Sequence, residues 1–218
     1  MEWLLSIPVL LFSIVLHEVA HGWVARREGD DTAERLGRIT LNPIVHLDPV
    51  GSILVPAILA FLPGGRIFGW AKPVPVNPGN FRDPLWSDIR VSMAGITMNL
   101  LLAVFFTLTL VPMAYLADMV DRSELLRTAM SVSFFGVYIN LVLAIFNLVP
   151  IPPLDGSHVM RHLLPKSLRA PYQAVGQFGL LILIAITFLV PGGFNAILVP
   201  VDYLKEFLFS SFGLTGRV

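Results

Sequence analysis

Residues 1–23 read MEWLLSIPVLLFSIVLHEVAHGW, and this stretch decides the class of fold. From Trp3 to Leu16 it is almost wholly apolar, and Val19, Ala20, Gly22 and Trp23 carry that character past His17, Glu18 and His21. A transmembrane helix needs about 20 apolar residues, which this stretch supplies. Each ionisable group inside such a helix costs about 2–3 kcal/mol or more, so something must offset three of them. The segment has no basic leader and no small-residue cleavage site, so it is expected to stay as a helix rather than be removed as a signal peptide.

The rest of the chain agrees. Of its 218 residues 55% are apolar and only 14% charged, and the mean hydropathy is +0.74. Soluble domains run nearer 25% charged, so a water-soluble core and a disordered chain are both excluded. Fifteen cations balance fifteen anions, which leaves no electrostatic footprint for nucleic acid. Cysteine is absent, removing disulfides, thiolate zinc sites and thiol catalysis together.

Further apolar stretches lie at Val91–Leu116, Met130–Val149 and Ala174–Val190, with a weaker one at Asn195–Phe212 interrupted by Asp202, Lys205 and Glu206. The expected fold is an all-α integral membrane protein with about five transmembrane helices. Gly51–Leu62 is too short to span, and the basic residues point the same way. Arg26, Arg27, Arg35 and Arg38 precede it, Arg66, Lys72, Arg82 and Arg90 follow it, and Arg161, Lys166 and Arg169 lie in 151–173. The segment 117–129 holds only Arg122 and Arg127 beside Asp118, Asp121 and Glu124. The positive-inside rule then places the first three regions in the cytoplasm and the N-terminus outside, provided 51–62 is re-entrant. The Pro- and Gly-rich run 63–84 is read as a small extended or β element at the cytoplasmic face, since Val74 and Val76 alternate as in an edge strand.

His17-Glu18-Val19-Ala20-His21 is an H-E-x-x-H, expected about 0.003 times by chance in this composition. On a helix, i and i+4 share a face, so both imidazoles can hold one metal ion, and Glu18 lies beside them as a general base toward water. A divalent cation also offsets the three buried ionisable groups. A catalytic site needs a third ligand, and the candidates are His46, Asp155, His158 and His162. Pro150, Pro152 and Pro153 open the helix ending at Val149 into an extended strip that leads to Asp155-Gly156. That strip lies at the cytoplasmic end of its helix, as His17 and His21 do of theirs, so Asp155 is the expected third ligand. His158 and His162, flanked by Arg161 and Lys166, read as a solvated juxtamembrane face rather than a second metal pair. His46 either supports its Asn42–Asp48 turn or faces the site. Gly95 and Asn99 form a small-residue pattern that mostly signals close helix packing, with a further role for Asn99 possible only as an accessory.

These motifs carry a resemblance. H-E-x-x-H at 17–21, G-x-x-x-N at 95–99 and N-x-x-P-x-P-x-L-D-G at 147–156 stand in the order found in the site-2 proteases, intramembrane zinc metalloproteases. GRITLNPIVHLDPVG at 37–51 and GWAKPVPVNP at 69–78 resemble the compact prokaryotic branch, which lacks PDZ and CBS domains. The resemblance covers roughly 1–165. It implies a single peptidase domain over 1–218, with a catalytic core at about 1–165 and additional C-terminal helices at 174–212. It further implies one Zn2+ held by His17, His21 and Asp155, Glu18 as general base, and Asn147 near the substrate or oxyanion. The family's membrane-dipping β segment would fall within 64–80.

The expected function is hydrolysis of peptide bonds in or near the transmembrane segments of membrane-anchored proteins, in a prokaryotic inner membrane, with the active site toward the cytoplasm. The partners would be such a substrate and the lipid bilayer, with no nucleic acid. The alternatives are a metal-dependent transporter, which paired broken helices and internal repeats would announce, and a catalytically inactive membrane-protein binder.

Overall fold

Inside a bilayer every backbone polar group must be satisfied by the chain itself, which favours helices. A computed structural model of the chain describes residues 2–61, 69–119 and 123–217, and among these residues there are helices and turns but no strand. Helix α1 (Glu2–Arg27) carries the H-E-x-x-H near its C-terminal end and closes on Arg26 and Arg27, cations where the helix dipole favours them. Gly29, at φ 111°, turns the chain, and the Asp30 amide returns to Ala25 O at 2.8 Å. The single turn α2 (Thr32–Arg35) follows.

Asp48 then caps a π-helical turn, Pro49–Leu54, accepting from the amides of Val50 and Gly51. This turn runs into α3 (Val55–Ala60). The apolar stretch Pro49–Ile58 is shorter than a span. Residues 69–77 form an extended strip without regular structure, while 64–68, the other part of the expected β element, lies outside the described residues.

Asp83 and Pro84 start the longest helix, α4 (Pro84–Met119). The Asp83 carboxylate accepts from the amides of Leu85 and Trp86, a cap of the usual chemistry. Helix α5 (Glu124–Leu148) begins at Ser123, whose hydroxyl accepts from Leu126 N, and ends where Pro150 forbids continuation. Short α6 (Gly156–Leu163), then α7 (Lys166–Phe188) and α8 (Gly193–Ser211) complete the chain.

Among the described residues, four helical stretches are long and apolar enough to cross a membrane: Leu5–Arg27, Pro84–Ala117, Glu124–Leu148 and Lys166–Thr187. The weaker fifth stretch forms α8, which carries an Asp202–Lys205 pair at 3.0 Å and is not among those four.

Helices α1, α4 and α5 pack on one another as the centre of the molecule. Gly136 on α5 admits the Phe106 ring of α4 so closely that no Cβ would fit there. Leu110, Ala114, Val137 and Leu141 form the buried core of this pair, and α8 adds Val201 and Phe209 to it. At the other end Ala25, Phe81 and Val91 form a smaller core that ties the end of α1 to the start of α4. The same junction is braced by Glu28, which accepts from Ser87 Oγ at 2.7 Å and pairs with Arg90 at 3.1 Å. The basic regions that end α1 and begin α4 therefore meet at one end of the bundle.

Candidate metal centre

A water-sized opening does not suffice for chemistry, so the polar groups around the central cavity matter most. That cavity, about 670 Å3, is lined by His17, Glu18 and His21 of α1, Asp88 and Val91 of α4, and Asn147 of α5. Asp155, His158 and the strip at 69–76 complete its polar end. The structure thus brings together residues from five separate stretches of sequence.

His17 Nε2 and His21 Nε2 lie 3.0 Å apart, and Asp155 Oδ2 lies 3.3 Å and 3.4 Å from them. Among the described residues this is the one group whose ligand atoms converge as a metal site would require. The helix spacing explains the first pair, for one turn of α1 separates the two rings. The break after α5 explains the third member. The Pro-rich turn, with a cis Pro152–Pro153 bond, reverses the chain so that Asp155 returns to the depth of the histidines. Gly156 packs against the backbone of Leu148 so tightly that no side chain could replace its hydrogen.

The tautomers follow from the other ring nitrogens. His17 Nδ1 is 2.5 Å from Asn99 Oδ1, and His21 Nδ1 is 2.7 Å from Val91 O. Both oxygens only accept, so both Nδ1 atoms carry the proton, and in the neutral rings each Nε2 presents its lone pair. The Asn99 orientation is set in turn, because its Nδ2 donates to Asn140 Oδ1, and Asn140 donates to Ser13 Oγ and Gly136 O. Two lone pairs and the buried Asp155 Oδ2, which has no hydrogen-bond donor, therefore face one another. Electron-rich atoms in that arrangement repel unless a cation lies among them. The two imidazole–carboxylate separations match the edge of a zinc tetrahedron, about 3.3–3.4 Å for ligand distances of 2.0–2.1 Å, and the imidazole–imidazole separation of 3.0 Å is shorter than that edge. Two imidazoles and a carboxylate also suit zinc by donor type. The residues present fit the metal.

Glu18 stands beside the pair, and its Oε2 accepts from the Val74 amide at 2.7 Å. Pro73 and Pro75 have no N–H, so Val74 is the single donor of its triplet. The strip is held on both sides of this contact. Arg38 donates to the carbonyls of Lys72 and Pro73, Lys72 N donates to His46 O at 2.8 Å, and Asn77 N donates to Asp30 Oδ2 at 2.6 Å. Asp30 is fully buried and accepts also from Thr32 and Asn80.

The other sequence candidates sort clearly. Asn147 lines the cavity and donates one amide proton to Leu143 O, leaving its second. Asn99, read chiefly as a packing residue, is in direct contact with His17. His46 does not join the group, for it is buried with Nε2 on Thr40 O at 3.0 Å, and its carbonyl supports the strip. The expectation of a solvated face at His158 and His162 is corrected. Both reach Asp88, at 3.1 Å and 2.7 Å, and Arg161 joins them at 2.7 Å, because α6 lays this face on α4. Asp88, the Val74 amide and Val91 O were missed. No motif marks a backbone group, but three basic residues in His158–His162 beside a membrane segment were a signal that a buried carboxylate must answer them.

A paired-histidine and carboxylate centre with an adjacent glutamate, set among helices of membrane length, defines a membrane metallopeptidase. The chain belongs to peptidase family M50, the family of the site-2 proteases, whose sequence model matches residues 5–117 and 111–190. It is 41% identical over 187 residues to the Bacillus subtilis protein named "Putative zinc metalloprotease YwhC", covering 84% of this chain and 80% of that one. It is 30% identical to a Mycolicibacterium smegmatis protein and 32% identical to a Mycobacterium tuberculosis protein, both named "Putative zinc metalloprotease Rip2". These two matches cover 84% and 83% of this chain but 66% and 65% of the mycobacterial proteins. No solved structure matches the chain.

Proposed function

We propose that this chain is a zinc endopeptidase that cuts membrane-anchored proteins in or near their transmembrane segments, as in regulated intramembrane proteolysis. The observation that carries the reading is the convergence of His17 Nε2, His21 Nε2 and the unpartnered Asp155 Oδ2 at one point beside Glu18. These three residues would hold the metal, one ion per chain. When bound, zinc supplies Lewis acidity, which polarises a peptide carbonyl and acidifies water.

Glu18 takes the proton from the attacking water and delivers it to the leaving amine. With Oε2 held by Val74, its other oxygen is the one free to do so. Asn147 directs its remaining amide proton into the cavity, where charge develops on the carbonyl oxygen. A substrate helix must unwind before it is cut, because its carbonyls are locked within the helix. In the strip at 69–77, the backbone groups other than those engaged by Glu18, Arg38, His46, Gly51 and Asp30 would offer such a segment a partner. The single peptidase domain spans 1–218, with the chemistry in 1–165 and α7 and α8 as additions. Its fifth membrane element is α8, the N-terminus lies outside a prokaryotic inner membrane, and the metal centre opens toward the cytoplasm.

The test compares purified wild type with Glu18→Gln for zinc content and for cleavage of a model transmembrane substrate. Zinc near one per chain in both, with cleavage lost by at least about 100-fold in the variant, is the expected result. Equal cleavage by both proteins would remove Glu18 from the mechanism, and an intact preparation that takes up no zinc would remove the mechanism itself.

A further inference from the structure

Asp88 sits in the second turn of α4, 3% exposed, in a wall of the cavity that also holds Glu18 and Asp155. A carboxylate so deeply placed is costly unless charge and hydrogen bonds answer it. Among the described residues, its side-chain partners come from α6. His162 Nε2 and Arg161 Nη2 each lie 2.7 Å from Oδ2, and His158 Nδ1 lies 3.1 Å from Oδ1. Three donors from one two-turn helix thus close on a single acceptor, which fixes the rotation of that helix as well as its distance from α4.

That helix begins at the third ligand. Asp155 is the residue from which α6 starts, and the His158 amide donates to Asp155 O at 3.0 Å. A helix this short is not stable by itself, so its orientation comes from what it is fastened to. Its far end is fastened too, because Arg169 donates to the carbonyls of His162 and Leu164. The side of α4 that holds α6 is the side that holds the histidines. Asp88, Val91, Gly95 and Asn99 follow one another at helix spacings of three, four and four, along one face. Asn99 takes His17, Val91 O takes His21, and Gly95 leaves the room in which the rings lie against the helix.

We infer that Asp88 is a positioning residue for the metal centre: by clamping α6 to α4 it sets the Asp155 carboxylate against His17 and His21. One face of α4 then indexes all three ligands. The inference rests on the zinc reading above, and groups that orient ligands from behind typically contribute 10–100-fold to metal affinity.

The experiment is a zinc titration by chelator competition on the full-length protein in lipid nanodiscs, for wild type, Asp88→Asn, Asp88→Glu and Asp155→Ala. Asp88→Asn is expected to weaken zinc by 10–100-fold, with Asp88→Glu recovering most of the loss because it keeps an anionic acceptor. A purely structural role would instead lower the melting temperature of the metal-free protein and leave zinc affinity alone. Arg161→Gln, which leaves both histidines on Asp88, gives a smaller loss of several-fold and carries the test if Asp88→Asn does not fold. Wild-type affinity in every Asp88 and Arg161 variant that folds overturns the inference. If Asp155→Ala has lost zinc in that same titration, only the role of Asp88 fails. If Asp155→Ala also binds as wild type does, the ligand set fails with it.

Discussion

The contact between Glu18 and the Val74 amide is where the chemistry proposed for Glu18 would depend on a backbone group that no side-chain motif records. A carboxylate with one oxygen held by an amide presents the other in a fixed direction, and misplacing a catalytic group by about 1 Å can cost about 100-fold. Val74→Pro removes the donor, whereas Val74→Ala keeps it and loses only the packing of the Val74 side chain toward Gly22 and α1. Turnover should fall 10- to 100-fold in Val74→Pro with zinc content unchanged, and Val74→Ala should stay within a few-fold of wild type. Steady-state kinetics on a transmembrane substrate checks this, and equal turnover in all three proteins would sink the role of the amide. The legible part of the site was the part written in side chains at fixed spacing. His17, Glu18 and His21 lie within one turn of one helix, and Asp155 could be placed by the proline break that precedes it. Asp88 and Val74 act across the fold, from residues that are distant in sequence and carry no spacing of their own.

Among the elements, the strip at 69–77 owes its position to anchors at both ends rather than to any propensity. It contains two prolines that cannot donate and forms no sheet, so the alternation of Val74 and Val76 that suggested an edge strand reports burial of Val74 against α1 instead. Asp30 is the anchor at the far end. Burial raises its carboxyl, but hydrogen bonds from Thr32, the Asn77 amide and Asn80 outweigh that and hold it below the ordinary value of 3.8. The folded value is thus lower than the unfolded one, so the stability it contributes is fully present above pH 3.8 and is lost as the pH falls through the folded value. Asp30→Ala leaves two backbone amides, of Thr32 and Asn77, without their acceptor, at a cost of about 2 kcal/mol or more. The variant should show a lower melting temperature at neutral pH and less loss than wild type on acidification toward pH 3. Hydrogen exchange should localise the change to the amides near 74–80. A uniform change over the whole bundle would contradict the role of Asp30 as a local anchor.

At the scale of the molecule, the path of the chain between α1 and α4 decides the topology. The end of α1 and the start of α4 are in contact, through Glu28 with Ser87 and Arg90 and through the amide of Arg82 on Glu28 O at 2.9 Å. Whatever depth residues 49–61 reach, the chain must come back to the end it left. A dozen residues of helix extend only about 18 Å, well short of the roughly 30 Å of a hydrocarbon core. Its exposed Ile53, Leu54, Ile58 and Phe61 suit contact with lipid better than with water. The length of 51–62 and the arginine distribution were both readable from the sequence because each is a property of composition along the chain. The depth of the segment was not, since it depends on tertiary contacts such as Trp70 N to Gly51 O. The chain has no cysteine, so single cysteines can be placed without background at Arg35, Ala57 and Arg127, all on exposed positions. A membrane-impermeant maleimide applied to intact cells should label Arg127→Cys alone, and inverted vesicles should label Arg35→Cys but not Arg127→Cys. Ala57→Cys should stay unlabelled in intact cells, either shielded by lipid or reached only from the Arg35 side. Labelling of Ala57→Cys together with Arg127→Cys in intact cells would mean that this segment crosses. The basic regions would then lie on opposite sides, which the Glu28–Arg90 pair forbids in this fold.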